Sequence, residues 1–246
     1  MNIVVAMKQI PDLQQIRIRN RKPVFEDVAL TFGNIDKNAL EAGVQLKEAT
    51  GSNLIVVSVG NEALEDTIKE ALAAGADEAY LVLDNEIEDM ESSSSARLIA
   101  ETIQKMDDVG MVLFGEGSGD NYSGQVGSRV AEILGLPQVG YANSININGS
   151  SATVTRSLED CEEVLEAELP IVVSVIADIN EPRIPSVSQI LKAGRKPKEI
   201  LELDVTGDSM LETISNLAPE MQRKRIEVET VKKLLRYLEI EGIIRR

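Results

Sequence analysis

Apolar, β-branched runs recur along this chain, and the stretches between them repeat with the period of helices. The runs are Ile3–Met7, Leu54–Val59, Ala79–Leu83 and Met111–Phe114, with a fifth at Ile171–Ala177. Asn34 or Asp36 is placed to cap a first helix that runs to about Ala49 and stops at Gly51. A second helix carries Leu64, Ile68, Ala71 and Leu72 on one face and closes at Gly75. A third spans Ser95 to Met106, and a fourth puts Val126, Val130, Ile133 and Leu134 on one face. Strand and helix alternating across short connections imply a mostly parallel, doubly wound sheet with helices on both faces, an α/β class.

Other segments decorate this frame. Between Lys8 and Asn34, the runs Ile16–Arg19 and Pro23–Phe25 flank Asn20 as a small hairpin. Beyond Pro137, Asn143–Ile147 and Ala152–Arg156 alternate around Asn148-Gly149, a strong hairpin signal. Asp178 to Pro185 is too rich in proline to continue a strand. Lys192 to Lys198 is basic, and Val228, Val231, Leu235 and Leu238 form a helical stripe suited to docking on another surface. The expected organisation is a nucleotide-binding domain over 1–190, including the 143–177 hairpin and strand. An extended arm over 191–246 follows and ends in a helix.

Ligands of such sheets sit beyond the carboxyl ends of the strands, near the point where strand order reverses. Lys8–Asp12, Ser58–Asn61 and Gly115–Gln125 should converge there. The last of these, Gly115-Glu116-Gly117-Ser118-Gly119-Asp120-Asn121-Tyr122-Ser123-Gly124-Gln125, joins an apolar run to a helical pattern. Strand, glycine-rich loop and helix bring backbone N–H groups up to a phosphate. The spacing is neither the dinucleotide fingerprint nor the Walker lysine loop. A flexible connection with Ser123 capping the next helix is the plain alternative.

Composition excludes several chemistries. The net charge of -16 argues against nucleic acid, whose phosphates demand a basic surface. With no histidine, neither a Ser-His-Asp triad nor a histidine metal site can be built, and no metal is expected. The single cysteine, Cys161, rules out an internal disulfide and fits a reducing cytoplasm; it suits a small, semi-buried role better than a redox one. No apolar run approaches the roughly 18 residues that cross a bilayer, and Met1 to Lys8 lacks the basic leader of a signal peptide.

Several motifs in order resemble the beta subunit of electron-transfer flavoproteins over nearly the whole chain. They begin with Val4-Val5-Ala6-Met7-Lys8-Gln9-Ile10-Pro11-Asp12, then Ala39-Leu40-Glu41-Ala42, Ser58-Val59-Gly60 and Ala71-Leu72-Ala73-Ala74-Gly75-Ala76-Asp77. The glycine-rich loop follows, then Leu169-Pro170, Asn180-Glu181-Pro182-Arg183 and Ile190-Leu191-Lys192-Ala193. The resemblance implies the nucleotide-binding α/β fold shared with adenine nucleotide alpha-hydrolases. It implies a heterodimer with an alpha subunit that carries a redox-active FAD, the beta subunit forming a cradle. The beta subunit's own site would hold AMP or, in electron-bifurcating members, a second FAD. Electrons would pass from an acyl-CoA or related dehydrogenase, as in fatty acid oxidation, to a quinone oxidoreductase or a ferredoxin. The chain would then be a carrier subunit and not an enzyme of bond chemistry.

Carried onto this sequence, the resemblance places nucleotide contacts at Ala6, Lys8, Asn38, Leu40, Ser58, Gly115, Asp120, Ser123, Gly124, Gln125 and Val126. It places partner contacts at Arg156, Arg183, Val187, Ile190, Leu191 and Lys192. Lys192, Arg195, Lys196 and Lys198 would steer an acidic partner. There are departures. Glu116-Gly117 stands where Lys-Gln is usual, Asn121-Tyr122 replaces acidic positions, and Leu13 sits where some members place a tyrosine beside the flavin. Gln125-Val126-Gly127 is nearer the form common in bifurcating members. A stand-alone nucleotide-binding regulatory or ATPase domain of the same architecture is the competing account.

Overall fold

The structure is a computed structural model and describes residues 1–85, 90–205, 211, 213–220 and 225–244. The chain divides into two units: residues 1–17 with 24–214, and residues 18–23 with 215–246. The expected boundary at 190 falls inside a helix of the first unit.

Along the chain, β1 (Asn2–Ala6) is followed by β2 (Gln9–Pro11), then by the small hairpin of β3 (Arg17–Arg19) and β4 (Lys22–Val24), whose residues 18–23 belong to the second unit, and by β5 (Leu30–Phe32), which pairs antiparallel with β2. The hairpin stands where expected, with Asn20 and Arg21 at φ 51 and 65 in its turn. The β2–β5 pair is an addition that three-residue strands do not announce. Next come α1 (Asn34–Thr50), β6 (Asn53–Gly60), α2 (Leu64–Ala74), β7 (Glu78–Leu83), α3 (Ser92–Ile103), β8 (Val109–Gly115) and α4 (Val126–Leu134). The chain continues through β9 (Gln138–Asn148), β10 (Ser151–Ser157), β11 (Glu162–Glu168), β12 (Ile171–Val175), α5 (Val187–Ala193) and β13 (Lys198–Ile200).

Nine strands form one sheet among the described residues, in the order β11-β10-β9-β12-β8-β1-β6-β7-β13. From β12 to β13 every pairing is parallel, and β9 to β11 form an antiparallel extension. The alternation of strand residues explains both helical layers. Ile3, Val5, Leu54, Val56, Met111 and Leu113 face one core with α1 and α2, while Val4, Ala6, Ile55, Val57, Val112 and Phe114 face the other with α3 and α4. Burying each large aliphatic side chain contributes about 1.5–3 kcal/mol. Gly43 lets α1 lie close to the sheet, since a Cβ there would stand 2.8 Å from Leu54 Cδ1 and 3.0 Å from Val5 Cγ2.

Several local expectations are corrected. Neither Asn34 nor Asp36 caps α1, whose N-cap is Gly33 without a side-chain bond. The third helix starts at Ser92 because the Glu91 carboxylate accepts from the Ser93 N–H at 2.8 Å. On α4, Val130 is buried but Ile133 is 46% exposed, so the apolar face is narrower than its spacing suggests. The Asn148-Gly149 hairpin forms, with Asn148 paired to Ser151 and Gly149 at φ 63. β11, with alternate glutamates on its exposed side, and β13 were not anticipated.

In the second unit the Ala218 N–H donates to the Arg21 carbonyl at 2.7 Å, and Arg21 pairs with Glu220 at 2.5 Å. Its helix, α6 (Val231–Ile240), begins after Thr230, whose hydroxyl accepts from the Lys233 N–H. Val228 therefore precedes the helix. Of the expected stripe, Val231 and Leu235 are exposed and Leu238 is partly buried.

Candidate functional site

Strand order reverses between β1 and β8: the chain moves from β1 out to β6 and β7, then returns across to β8 and β12. The carboxyl ends of β1 and β8 release Lys8 and the Gly115–Gln125 loop side by side, where such sheets bind ligands. The loop is held from within. Tyr122 hydroxyl donates to Glu116 at 2.8 Å, the Tyr122 N–H to the Ser118 carbonyl at 3.0 Å, and Ser118 hydroxyl to Asn121 at 2.9 Å. The Tyr122 ring folds over Gly117, where a Cβ would stand only 3.0 Å from three ring carbons. Tyr122 at φ 48 and Gly124 at φ 65 make the reversal that leads into α4.

Gln125 is the N-cap of α4 and its side chain makes no cap bond; it accepts instead from Arg129 Nε and Nη2 at 3.1 and 2.8 Å. Ser123 does not serve as cap either, and among the described residues its hydroxyl has no partner. The first-turn N–H groups of α4 thus keep their partial positive charge for an external acceptor.

Beneath the loop lies Asp36, in the first turn of α1 and 7% exposed. Its carboxylate accepts from the Lys8 N–H at 2.8 Å and lies directly against the backbone of Gly115. Burial pushes its pKa up to about 7 against that bond and the Lys8 charge, with the nearby Asp120 charge adding to the rise. Lys8 Nζ pairs with Asp120 at 2.5 Å. Partial burial pushes Asp120 up, but the Lys8 ammonium, as hydrogen-bond donor and as charge, outweighs it and holds the carboxyl below the ordinary range. The site therefore offers uncapped amides, one ammonium group and two carboxylates with opposite proton affinities.

Lys8, Gly115, Asp120, Ser123, Gly124, Gln125 and Val126 are brought to this mouth. The other expected nucleotide contacts lie deeper. Ala6 and Leu40 are core residues on opposite faces of the sheet. Ser58 is fully buried and its hydroxyl donates to the Met7 carbonyl at 2.7 Å, tying β6 to the end of β1. Asn38 Nδ2 donates to the carbonyls of Ala177 and Asn180 at 3.0 and 2.8 Å, and Asn180 donates back to the Asn38 carbonyl. Asp12 accepts from the Gln14 N–H and from Gln15 Nε2, a turn-capping role. Leu13 lies against the loop, 2.9 Å from where a Gly119 Cβ would stand. Asp36 was missed as a site residue. An acid in the first turn of a helix looks like a dipole partner, and only the fold shows which loops rest on it.

A separate hollow of about 540 Å³ at the ends of β6 and β7 is lined by Glu62, Glu65, Leu83, Asp84 and Asn85. Three carboxylates make it a poor place for an anion.

The expected partner residues divide in two. Arg156 pairs across strands with Glu163, Nε to Oε2 at 2.7 Å. Arg183 forks onto Glu41 and Glu48 of α1, at 2.7 Å to each. Lys196 donates to the Leu72 and Ala76 carbonyls at the end of α2, at 2.7 and 2.5 Å. These cations are spent inside the chain. By contrast Val187, Ile190 and Leu191 on α5 are 75%, 54% and 74% exposed, beside Ile184 at 93%. Lys192 is exposed with them. A capping box between Ser186 and Gln189 starts this helix. Cys161 is exposed in the turn between β10 and β11, not semi-buried.

Residues 24–206 match the electron transfer flavoprotein domain family. The chain is 36% identical over 207 residues to the electron transfer flavoprotein subunit beta of Thermoanaerobacterium thermosaccharolyticum, covering 83% of this chain and 79% of that one. It is 33% identical over 213 residues to the subunit of the same name from Megasphaera elsdenii, covering 83% and 78%. A third relative is the caffeyl-CoA reductase-Etf complex subunit CarD of Acetobacterium woodii, 35% identical over 200 residues, covering 80% and 76%.

Proposed function

This chain belongs to the electron transfer flavoprotein family, and we propose that it serves as a beta subunit that holds an adenine nucleotide and cradles the FAD domain of an alpha subunit. The observation that carries this reading is the meeting of Lys8, the Gly115–Gln125 loop and the uncapped start of α4 at the reversal of strand order. Amides at a helix start and one lysine suit a mono- or diphosphate. Asp120 holds the Lys8 ammonium at the mouth until a phosphate shares it. Asn38 and Ser58 hold the walls of the site through backbone carbonyls instead of reaching outward. Described helices include none long and apolar enough to cross a membrane.

The FAD of the alpha subunit would supply the one-electron chemistry, and this chain would position it. Its bare faces are the means. Ile184, Val187, Ile190 and Leu191 form an apolar cluster on α5 and the turn before it, suited to anchoring an acyl-CoA-type dehydrogenase, with Lys192 beside it. The apolar stripe of α6 is suited to the alpha subunit. Electrons would then leave for a quinone oxidoreductase or a ferredoxin. A second reading, with a second FAD in the chain's own site and electron bifurcation, is favoured by Gln125-Val126-Gly127 and by likeness to a subunit of a reductase–Etf complex.

Co-purification with the alpha subunit and a count of bound groups per heterodimer test both. One flavin with one AMP supports the first reading, and two flavins the second. A heterodimer carrying flavin but no second nucleotide refutes the site, and a stable monomer that hydrolyses ATP refutes the family role.

A further inference from the structure

The candidate site contains a group that phosphate binding alone does not require: the carboxyl of Asp36, buried beneath the two loops that would hold the ligand. It accepts the backbone N–H of Lys8, just beyond β1, and lies directly against Gly115 at the end of β8, on the other side of the strand-order reversal. Nothing larger than glycine fits above it, since a Cβ at position 115 would stand 2.7 Å from Asp36 Oδ1. The charged groups that face it are Lys8 from beyond β1 and Asp120 from the β8 loop, which are themselves paired at 2.5 Å.

We propose that Asp36 is the positioning residue of the nucleotide site: it fixes the backbone of Lys8 and supports that of Gly115 from beneath, and bound phosphate draws a proton onto it from solvent. The proposal rests on the adenine-nucleotide reading above. A phosphate at the start of α4 brings a further negative charge to a place that already holds Asp120 and competes for Lys8. Like charges sharing a poorly solvated site disfavour ionisation of the most buried member. Burial has already pushed Asp36 up to about 7, so any further rise passes through neutral pH. A protonated carboxyl keeps acceptor capacity. The two loops stay anchored while the charge beneath the phosphate is removed.

The test uses the full chain co-purified with its alpha subunit and stripped of bound nucleotide. AMP is titrated calorimetrically between pH 6 and 8.5 in buffers of different ionisation enthalpy, for the wild type and Asp36→Asn. The wild type should take up more protons per AMP than the variant. Its affinity should fall on the alkaline side by about tenfold for each unit that binding raises the Asp36 pKa. The variant should show only the ionisation of AMP itself. Equal proton uptake in both overturns the proposal. If the variant does not fold, the carbon-13 shift of the Asp36 carboxyl decides, because a midpoint that does not rise with AMP also overturns it. A wild type that binds no AMP overturns the functional reading, and this proposal with it. That result is distinct from equal binding with equal uptake.

Discussion

Replacing Arg183 by alanine separates a residue that holds the fold from one that holds a partner. The guanidinium reaches Glu41 through Nε at 2.7 Å and Nη2 at 3.0 Å, and Glu48 through Nη1 at 2.7 Å and Nη2 at 3.3 Å. Glu41 is 6% exposed, so the variant strands a buried carboxylate. Breaking a buried pair by removing one member costs about 3–5 kcal/mol. The exposed arm to Glu48 adds about 0–1 kcal/mol. Gln45 still donates to Glu41 at 3.0 Å, and the backbone N–H of residue 183 at 3.3 Å, which places the total near the lower limit, about 3 kcal/mol. For a chain of this size each kcal/mol moves Tm by about 2–4 °C, hence a fall of roughly 6–12 °C in thermal unfolding.

The pH dependence supplies a second check. Burial pushes Glu41 up, but hydrogen bonds from Arg183 and Gln45 and the guanidinium charge outweigh it, so the folded pKa lies below the ordinary 4.5. A depressed carboxyl contributes stability that is complete above its unfolded pKa and is lost as pH falls through the folded one. The gap between wild type and variant should be full at pH 7 and close below pH 4.5. A loss under about 1 kcal/mol at pH 7, the worth of a surface pair, refutes the argument. So does a gap that persists in acid. If Arg183 served a partner contact alone, the variant would melt with the wild type and lose only affinity for that partner.

Gly115→Ala places a Cβ 2.7 Å from Asp36 Oδ1 and 3.1 Å from the Ile35 carbonyl carbon; denaturant titration should show a cost of about 1–3 kcal/mol, and the purified heterodimer should lose its nucleotide. Lys196→Ala leaves the Leu72 and Ala76 carbonyls short of a charged donor, a loss of about 1–3 kcal/mol by urea unfolding with partner affinity unchanged. Val187→Asp alters a side chain 75% exposed, so stability should stay within about 0.5 kcal/mol while dehydrogenase binding, followed by surface plasmon resonance, weakens. The folded pKa of Asp36 lies above its unfolded 3.8, so its contribution to stability falls as pH rises from about 4 to 7; Asp36→Asn should flatten that part of the stability–pH curve measured by thermal melts.

The sheet was legible because its signal is local. Ile3–Met7 and Leu54–Val59 carry their two-faced burial in their own composition, and the glycines at 51, 75 and 149 mark real ends and turns. The antiparallel edge was half legible. β9 and β10 alternate around a glycine turn, whereas β11 interleaves glutamates with Val164, Leu165 and Ala167 and so lacks a clean apolar face. β13 is three residues long and exists only because β7 offers it a free edge, a cause that lies 119 residues upstream in the register Lys198↔Ala79. The glycine-rich loop was legible as a loop, and its position at the strand-order reversal followed from the alternation. What holds it was not. Tyr122 closing on Glu116, and Asp36 receiving the Lys8 N–H beneath Gly115, depend on contacts among segments that only the closed sheet brings together.

The same limit explains why the cations and the apolar side chains expected at partner contacts have different surroundings. A cation has a long reach and is satisfied by whichever carboxylate or carbonyl the fold supplies. Arg183 finds Glu41 across 142 positions and Lys196 finds Leu72 across 124, and neither acceptor is foreshadowed near its donor. An apolar side chain has no distant partner to reach for; it is either covered by packing or left bare. Val187, Ile190 and Leu191 follow a capping box that fixes a short helix, and that helix buries only Ala193. Their exposure is therefore on an ordered helix and not on an irregular loop. A surface that a fold goes to the trouble of ordering while leaving it uncovered is the better guide to where another protein sits. For this chain the docking surface proposed above, the face of α5 beside Ile184, is of that kind.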